Sequence, residues 1–170
     1  MHNIHLNKIL TKDTCLIVIP RISTVLFIFF QVTGMLLYPG GTMFNKEAKG
    51  YTFTENFFSD MGAYAARNGD PNYLSMIFFS LSLTIVGVTF ILYYLTIPSL
   101  FKSNKLNYFI SLLGSLFAIA GSLCLIGTGL TPSDLVLESH KFFANNIFYS
   151  FLFTSFLHFF TLMLYSSQIL

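Results

Sequence analysis

The sequence carries very little charge for its length. Only 9% of its 170 residues are Asp, Glu, Lys or Arg, whereas soluble proteins have about 25%, and 54% of its residues are hydrophobic. This composition excludes an ordinary water-soluble domain. The net charge of +2 is spread over the ends and loops without a run of like charges, so we expect no nucleic-acid binding.

Cysteines and recognisable catalytic motifs are also scarce. Cys15 and Cys124 are the only cysteines, and they form neither a disulfide framework nor a CxxC metal pattern. We expect Cys124 to fill apolar space. The sequence contains no GxSxG, HExxH, P-loop or dinucleotide-binding fingerprint. Standard soluble enzyme chemistry therefore has no support, no cofactor-binding residues are predicted, and any cofactor stays unknown.

The sequence does contain four long apolar segments. They predict helices over about 20–38, 71–97, 107–130 and 132–165. The apolar part of the first, Ile22 to Tyr38, covers roughly 26 Å as a helix and only just matches the hydrocarbon core. We predict an all-α fold, a single membrane domain over residues 1–170, with four transmembrane helices bundled in a lipid bilayer.

The basic residues outside these segments predict an orientation. Four spans put both termini on one side, together with the short connection between the second and third spans. That side carries five basic residues and the opposite side four: Lys8, Lys12, Arg21, Lys102 and Lys105 against Lys46, Lys49, Arg67 and Lys141. The positive-inside rule, by this narrow margin, predicts cytoplasmic termini.

The long connection between the first two spans contains a helical pattern of its own. Thr52 and Glu55 have the spacing of a capping box. Apolar residues then recur at helical intervals, at Phe57, Phe58, Met61, Tyr64 and Ala65. We predict a short amphipathic helix over about 54–67, lying on the outer surface or over the bundle.

Four polar residues on this predicted outer side are candidates for chemistry. Ser59 and Asp60 lie in the loop helix, and Asp134 and His140 lie near the start of the fourth span. Such residues could perform acid/base catalysis, and Asp60, Asp134 and His140 are weak candidates for metal ligands. In the alternative interpretation, Asp134 caps its helix in a box with Thr131, His140 anchors at the interface, and Asp60 is a solvated acid. If Asp134 and His140 are both helical, they lie about 240° apart and do not share a face.

The fourth span also carries a polar stripe. One polar residue recurs every four positions, at Asn146, Ser150, Thr154 and His158. This stripe must face protein, because a lipid-facing Asn or His is costly. Hydrogen bonding between helices is the favoured interpretation, and the lining of a polar cavity or proton path is the alternative.

Two short elements resemble a known family. The first runs from Gly50-Tyr51-Thr52 to Asn56-Phe57-Phe58-Ser59-Asp60-Met61-Gly62, and the second is Gly127-Thr128-Gly129-Leu130-Thr131-Pro132-Ser133-Asp134 with the later His140. They resemble the uncharacterised prokaryotic membrane family called domain of unknown function 998. Its members have a Tyr…Ser-Asp-Leu-Gly element after the first helix and a Gly-(Leu/Phe)-x-Pro-x-Asp…His element after the third. Met61 stands where leucine is usual.

The resemblance marks the polar-element positions Ser59, Asp60, Gly62, Pro132, Asp134 and His140, and it implies a prokaryotic cell membrane but no known activity. Such proteins usually look like six-helix bundles. A chain with four spans is then expected to be a short member, or a fragment that needs a partner chain.

Three functions remain open at this point. The favoured one is a bundle that binds a lipid or a membrane partner, either a second copy or another chain. The alternative is an intramembrane hydrolase of a lipid-like substrate that uses the Ser/Asp/His residues of the outer face. A further alternative is a transport subunit for a small solute or protons.

Overall fold

The computed structural model describes residues 11–166, so Lys8 and the last four residues lie outside it. The described chain contains helices and no sheet. Four α-helices follow one another: α1 is Ile19–Leu37, α2 is Tyr73–Thr96, α3 is Lys105–Leu130 and α4 is Leu137–Ser166. A π-helical turn, Thr14–Val18, precedes α1, and 3₁₀ turns form at Phe58–Gly62 and Ile97–Phe101. The predicted all-α fold is confirmed.

The four helical segments are long and apolar enough to cross a membrane. With their adjoining turns they span Thr14–Leu37, Tyr73–Phe101, Lys105–Leu130 and Leu137–Ser166, and each contains an 18-residue window of mean hydropathy 1.7 or more. Many large apolar side chains of these helices are exposed, and in a membrane they would face lipid. The chain is therefore an integral membrane protein with four predicted spans.

The first span begins earlier than the predicted boundary near residue 20. The helix runs through Pro20 without a break, because the preceding turn is π-helical and the Ile19 amide donates to the Thr14 carbonyl. Proline lacks an N–H and its ring crowds the carbonyl of the preceding turn, and a wide turn can accommodate both effects. The span is consequently long enough for the hydrocarbon core with residues to spare.

The fourth helix begins later than the predicted residue 132. Thr131 ends α3, and its hydroxyl donates to the Gly127 carbonyl of that helix. The Pro132 carbonyl then accepts amides of Leu135 and Val136 in a separate turn. The proposed capping box of Thr131 and Asp134 is therefore wrong, because the two residues belong to a connection and not to the first turn of α4.

Successive helices pack on one another, α1 on α2, α2 on α3, and α3 on α4. Glycines allow close approach at these contacts: Gly114 of α3 lies directly against His158 of α4. Within the described residues, α1 and α4 make at most marginal contact. The four helices therefore form an open layer, with a groove between the first and the last.

The long connection 38–72 folds over one end of this layer. Met61 and Ala66 of the connection are buried with Tyr38, and they pack on Phe79 and Leu83 of α2. The Phe58 ring also meets the Phe79 ring edge-on, with centroids 5.7 Å apart. We call this end of the bundle, with connections 38–72 and 131–136, the loop face.

The predicted amphipathic helix over 54–67 is reduced to the five-residue 3₁₀ turn Phe58–Gly62. Backbone amides in this region bond to side chains instead of to the preceding turn. Phe57 donates to the Asp60 carboxylate, and Tyr64 and Ala65 donate to Asp134. Side-chain acceptors compete with helical hydrogen bonds in this way, so the apolar spacing alone predicted too long a helix.

Candidate functional site

Asp60 forms the centre of a buried polar network on the loop face. Its side chain is only 4% exposed. Oδ1 accepts Nε and Nη2 of Arg67 at 3.0 and 2.8 Å, and Oδ2 accepts the Phe57 amide at 3.0 Å and the Asn56 side chain at 3.2 Å. Both carboxylate oxygens are thus occupied, and Asp60 is not the solvated acid of the alternative interpretation.

Arg67 and Tyr38 complete this network. The hydrogen bonds to Asp60 raise the pKa of the Arg67 guanidinium above its ordinary value. The backbone amide of Arg67 donates to the Tyr38 hydroxyl at 2.9 Å, and burial raises the pKa of Tyr38. In the sequence Arg67 was counted only as a positive charge for the orientation in the membrane, and no sequence signal identified it as the partner of Asp60.

Asp134 joins the two connections of the loop face. Its Oδ1 accepts the Tyr64 amide at 2.8 Å and its Oδ2 accepts the Ala65 amide at 2.9 Å. Asp134 therefore does bond to free backbone amides, as a capping residue would, but those amides belong to the distant 38–72 connection. Both carboxylate oxygens of Asp134, like those of Asp60, therefore make structural hydrogen bonds.

His140 is buried in the first turn of α4, and its orientation is fixed. Its Nδ1 lies 2.7 Å from the Thr131 carbonyl oxygen. A carbonyl oxygen only accepts, so Nδ1 carries the hydrogen, and in the neutral ring the lone pair lies on Nε2. Within the described residues Nε2 has no hydrogen-bond partner. His140 is thus a positioned imidazole with a free basic nitrogen.

Ser59 is the fourth candidate, and it lies half-buried in the 3₁₀ turn. In the described part of the chain its hydroxyl bonds to no other group. Ser59 and His140 are therefore the two candidates whose reactive atoms are not occupied by structural contacts.

All four candidates line one cavity of about 940 Å³, which we call the loop cavity. Its wall also includes Tyr38 and three basic residues, Lys46, Arg67 and Lys141. Asp134 and His140 face the same space although they are six residues apart, because Asp134 precedes the helix. The expectation that they could not share a face held only if both were helical.

A second cavity, of about 640 Å³, adjoins the first and extends along the bundle. It is lined almost entirely by apolar side chains from all four helices, including Phe27, Phe79, Phe90, Leu125 and Phe151. We call it the apolar groove. It lies between α1 and α4, where the helix layer is open.

Phe57, Ser59, His140 and Ala144 line both the loop cavity and the apolar groove. We call these four residues the neck, because they mark the boundary between the two spaces. The 38–72 connection supplies two of them and one face of α4 supplies the other two. Ser59 and His140 are the polar members of the neck.

The candidate metal ligands Asp60, Asp134 and His140 do not form a coordinating group. Among residues 11–166, no three His, Cys, Asp or Glu side chains lie together as metal ligands would. Asp60 already pairs with Arg67, and Asp134 already binds two amides. The chemistry available here is that of a hydroxyl and an imidazole without further ligands.

The polar stripe of α4 lies away from the neck and bonds mainly to backbone. Asn146 donates to the Phe142 carbonyl, and the Thr154 hydroxyl lies near the carbonyls of Ser150 and Gly114. His158 Nδ1 lies 3.0 Å from the Thr154 carbonyl, and its ring meets Tyr94. Among the hydrogen bonds of the stripe within residues 11–166, only that of Thr154 to Gly114 crosses from α4 to α3, whereas those of Asn146 and His158 stay within α4.

No family model, curated protein or solved structure matches the chain.

Proposed function

We propose that the protein binds a membrane lipid, with the headgroup in the loop cavity and an acyl chain in the apolar groove. The observation that carries the proposal is the shared neck, which joins a space whose lining includes charged residues to a space lined almost entirely by apolar side chains. A lipid has the same division, and a binding site for it needs a polar and an apolar compartment in contact.

The positions and lining residues of the two spaces support this assignment. The apolar groove lies among the membrane-spanning helices, where acyl chains are the surrounding solvent, and the opening between α1 and α4 gives them lateral access. The loop cavity lies at the helix ends, at the depth of headgroups. Lys46, Arg67 and Lys141 on its wall provide donors for a phosphate.

The proposal is tested with a phospholipid that carries a photoactivatable diazirine near the end of its acyl chain. The purified protein is reconstituted with this probe in phosphatidylethanolamine and phosphatidylglycerol vesicles and irradiated. We expect cross-links on the groove residues Phe90 and Phe151. Ala144→Phe narrows the neck and should reduce these cross-links several-fold.

Leu152→Phe is the matched control, because it adds similar bulk to the same helix at a position 65% exposed on the outer surface. It should leave the cross-links unchanged. Equal cross-linking of the two variants, or cross-links restricted to outward-facing positions, would contradict lipid binding. A dimeric protein whose groove residues stay unlabelled would instead assign the groove to a second copy.

We further propose that the protein lies in a prokaryotic cell membrane with its termini in the cytoplasm. The excess of basic residues on the terminal side supports this orientation. In a chain whose native cysteines are replaced by serine, Lys46→Cys should react with an impermeant maleimide on intact cells. Lys102→Cys should react only after lysis. The reverse pattern would contradict the orientation.

Membership of the domain of unknown function 998 family is also a proposal. The support is the two sequence elements that end in Ser59-Asp60-Met61-Gly62 and in Pro132-Ser133-Asp134, followed by His140. If it is correct, related chains should pair an aspartate in the second element with backbone amides that directly follow the first. A structure of a related chain without this contact would count against the assignment.

A further inference from the structure

The neck holds the two candidate residues of the loop face whose reactive atoms make no structural contact within residues 11–166. Asp60 is occupied by Arg67, Asn56 and the Phe57 amide, and Asp134 by two backbone amides. Ser59 Oγ and His140 Nε2, in contrast, have no partner within residues 11–166. Both residues line the same boundary, although they do not bond to each other in this structure, and a hydroxyl with an imidazole base is the pair of groups used in nucleophilic catalysis.

The position of this boundary specifies which bond of a bound lipid would be nearest. In a glycerolipid the acyl ester connects the polar headgroup part to the apolar chain. A headgroup in the loop cavity and a chain in the apolar groove therefore leave the ester at the neck. The ester carbonyl would then lie beside Ser59 and His140.

The surroundings of His140 suit a general base. The hydrogen bond from Nδ1–H to the Thr131 carbonyl, at 2.7 Å, fixes the ring and keeps the Nε2 lone pair free in the neutral form. The carbonyl takes the orienting role that a carboxylate has in many Ser-His pairs. Because that carbonyl belongs to the α3–α4 connection, the orientation is built into the fold.

We propose that Ser59 and His140 cleave the acyl ester of a membrane lipid by nucleophilic catalysis. This inference rests on the proposed lipid binding. Ser59 Oγ forms a bond to the ester carbonyl carbon while its proton passes to His140 Nε2. The bond from that carbon to the headgroup oxygen then breaks, and the leaving alcohol takes the proton from His140. The acyl chain remains on Ser59 as an ester.

Water completes the reaction. It adds to the acyl carbon as its proton passes to His140 Nε2, and the bond between that carbon and Ser59 Oγ breaks. The proton returns to Oγ, and a fatty acid leaves through the apolar groove. No electrons are transferred to or from an acceptor, and water is the only co-reactant.

An alkyl fluorophosphonate tests this inference, because it phosphonylates activated serines and its chain can enter the groove. The full chain in detergent should gain the mass of one adduct, mapped to Ser59 by peptide mass spectrometry. Ser59→Ala should lose the adduct. Ser155→Ala, at an exposed serine of α4 bonded to the Phe151 carbonyl, should retain it.

His140→Gln should slow labelling by at least about 100-fold, since positioned general bases contribute that much or more. The diazirine lipid gives a separate readout of folding and binding in the wild-type protein. No adduct on a wild-type protein that still cross-links the lipid would overturn the esterase inference and leave lipid binding intact. An adduct on Ser133 instead of Ser59, or labelling unaffected by His140→Gln, would also overturn it. Absence of lipid cross-links in the wild-type protein would overturn the proposed function itself.

Discussion

The Tyr64 backbone amide donates to the Asp134 carboxylate across 2.8 Å, although the two residues are 70 positions apart in the chain. With the second bond, from Ala65, this contact attaches the long 38–72 connection to the turn between α3 and α4. The two connections that form the loop cavity are therefore held together through Asp134. Asp134 matters first as a structural residue.

Asp134→Ala should lower the free energy of unfolding by about 1–2 kcal/mol. Hydrogen bonds to charged acceptors contribute about 1.5–3 kcal/mol each, and the exposure of Asp134 reduces this value. Thermal unfolding in detergent measures the loss, and hydrogen exchange at the Tyr64 and Ala65 amides should accelerate. Glu138→Ala, in an exposed pair with Lys141, is the control and should cost less than about 0.5 kcal/mol. Equal stability of the two variants would disprove the role of Asp134.

The Asp60–Arg67 pair should contribute more, because the Asp60 carboxylate is nearly fully buried. Asp60→Ala leaves Arg67, Asn56 and the Phe57 amide without their acceptor, and we expect a loss of about 3 kcal/mol. That value is below the extreme for buried pairs, since the Arg67 side chain is 41% exposed. Denaturant unfolding measures it.

A double-mutant cycle with Arg67→Met separates the pair from its surroundings. The double variant should be more stable than the sum of the two single losses predicts, by about 1–2 kcal/mol. Strict additivity would mean that the ion pair contributes nothing beyond the separate contacts of each residue.

The membrane-spanning helices could be predicted from the sequence because their formation depends on local features of the chain. Each helix satisfies its own backbone hydrogen bonds, and its apolar length is visible in the sequence. The observed α2, Tyr73–Thr96, and α3, Lys105–Leu130, agree with the predicted 71–97 and 107–130 to within two residues. The predicted start of the first span was wrong because the π-helical turn Thr14–Val18 lets the helix continue through Pro20.

The loop face was less predictable because distant side chains decide its backbone. The spacing of Phe57, Phe58 and Met61 favours a helix, but Asp60 and Asp134 take the amides that a longer helix would need. Ser59, Asp60, Asp134 and His140 could be selected by residue type and by the family resemblance. The sequence could not indicate which two would be occupied by structural contacts, or that Arg67 would be the partner of Asp60.

Alkaline pH should destabilise the loop face through Tyr51. Burial, and next the charges of Asp60 and Tyr38, raise the pKa of Tyr51 above 10.0 in the folded protein. The folded state therefore holds this proton more tightly than the unfolded state. The resulting stability is fully present below pH 10.0 and is lost as the pH rises through the folded pKa.

Unfolding measured between pH 9 and about pH 12, the range that brackets tyrosine ionisation, should therefore show decreasing stability. Tyr51→Phe should make the decrease shallower, because phenylalanine has no proton to lose. If Tyr51→Phe has the wild-type slope, the partly buried hydroxyl of Tyr51 is not responsible.

Gly62 fixes how closely the 3₁₀ turn approaches α2, since a Cβ at this position would overlap the Phe79 ring. Phe79 is buried in the core of the loop face and cannot move away freely. We expect Gly62→Ala to destabilise the protein by about 1–3 kcal/mol, the usual cost of overpacking.

Gly34→Ala is the control, because its Cβ would lie 3.5 Å from the Met61 sulfur and the Ser75 carbonyl oxygen, an ordinary contact. In a helix interior that change should instead stabilise by about 0.5–1 kcal/mol. Unfolding in the same detergent compares the two variants, and a Gly62→Ala protein as stable as Gly34→Ala would mean that the turn does not pack on Phe79 as described.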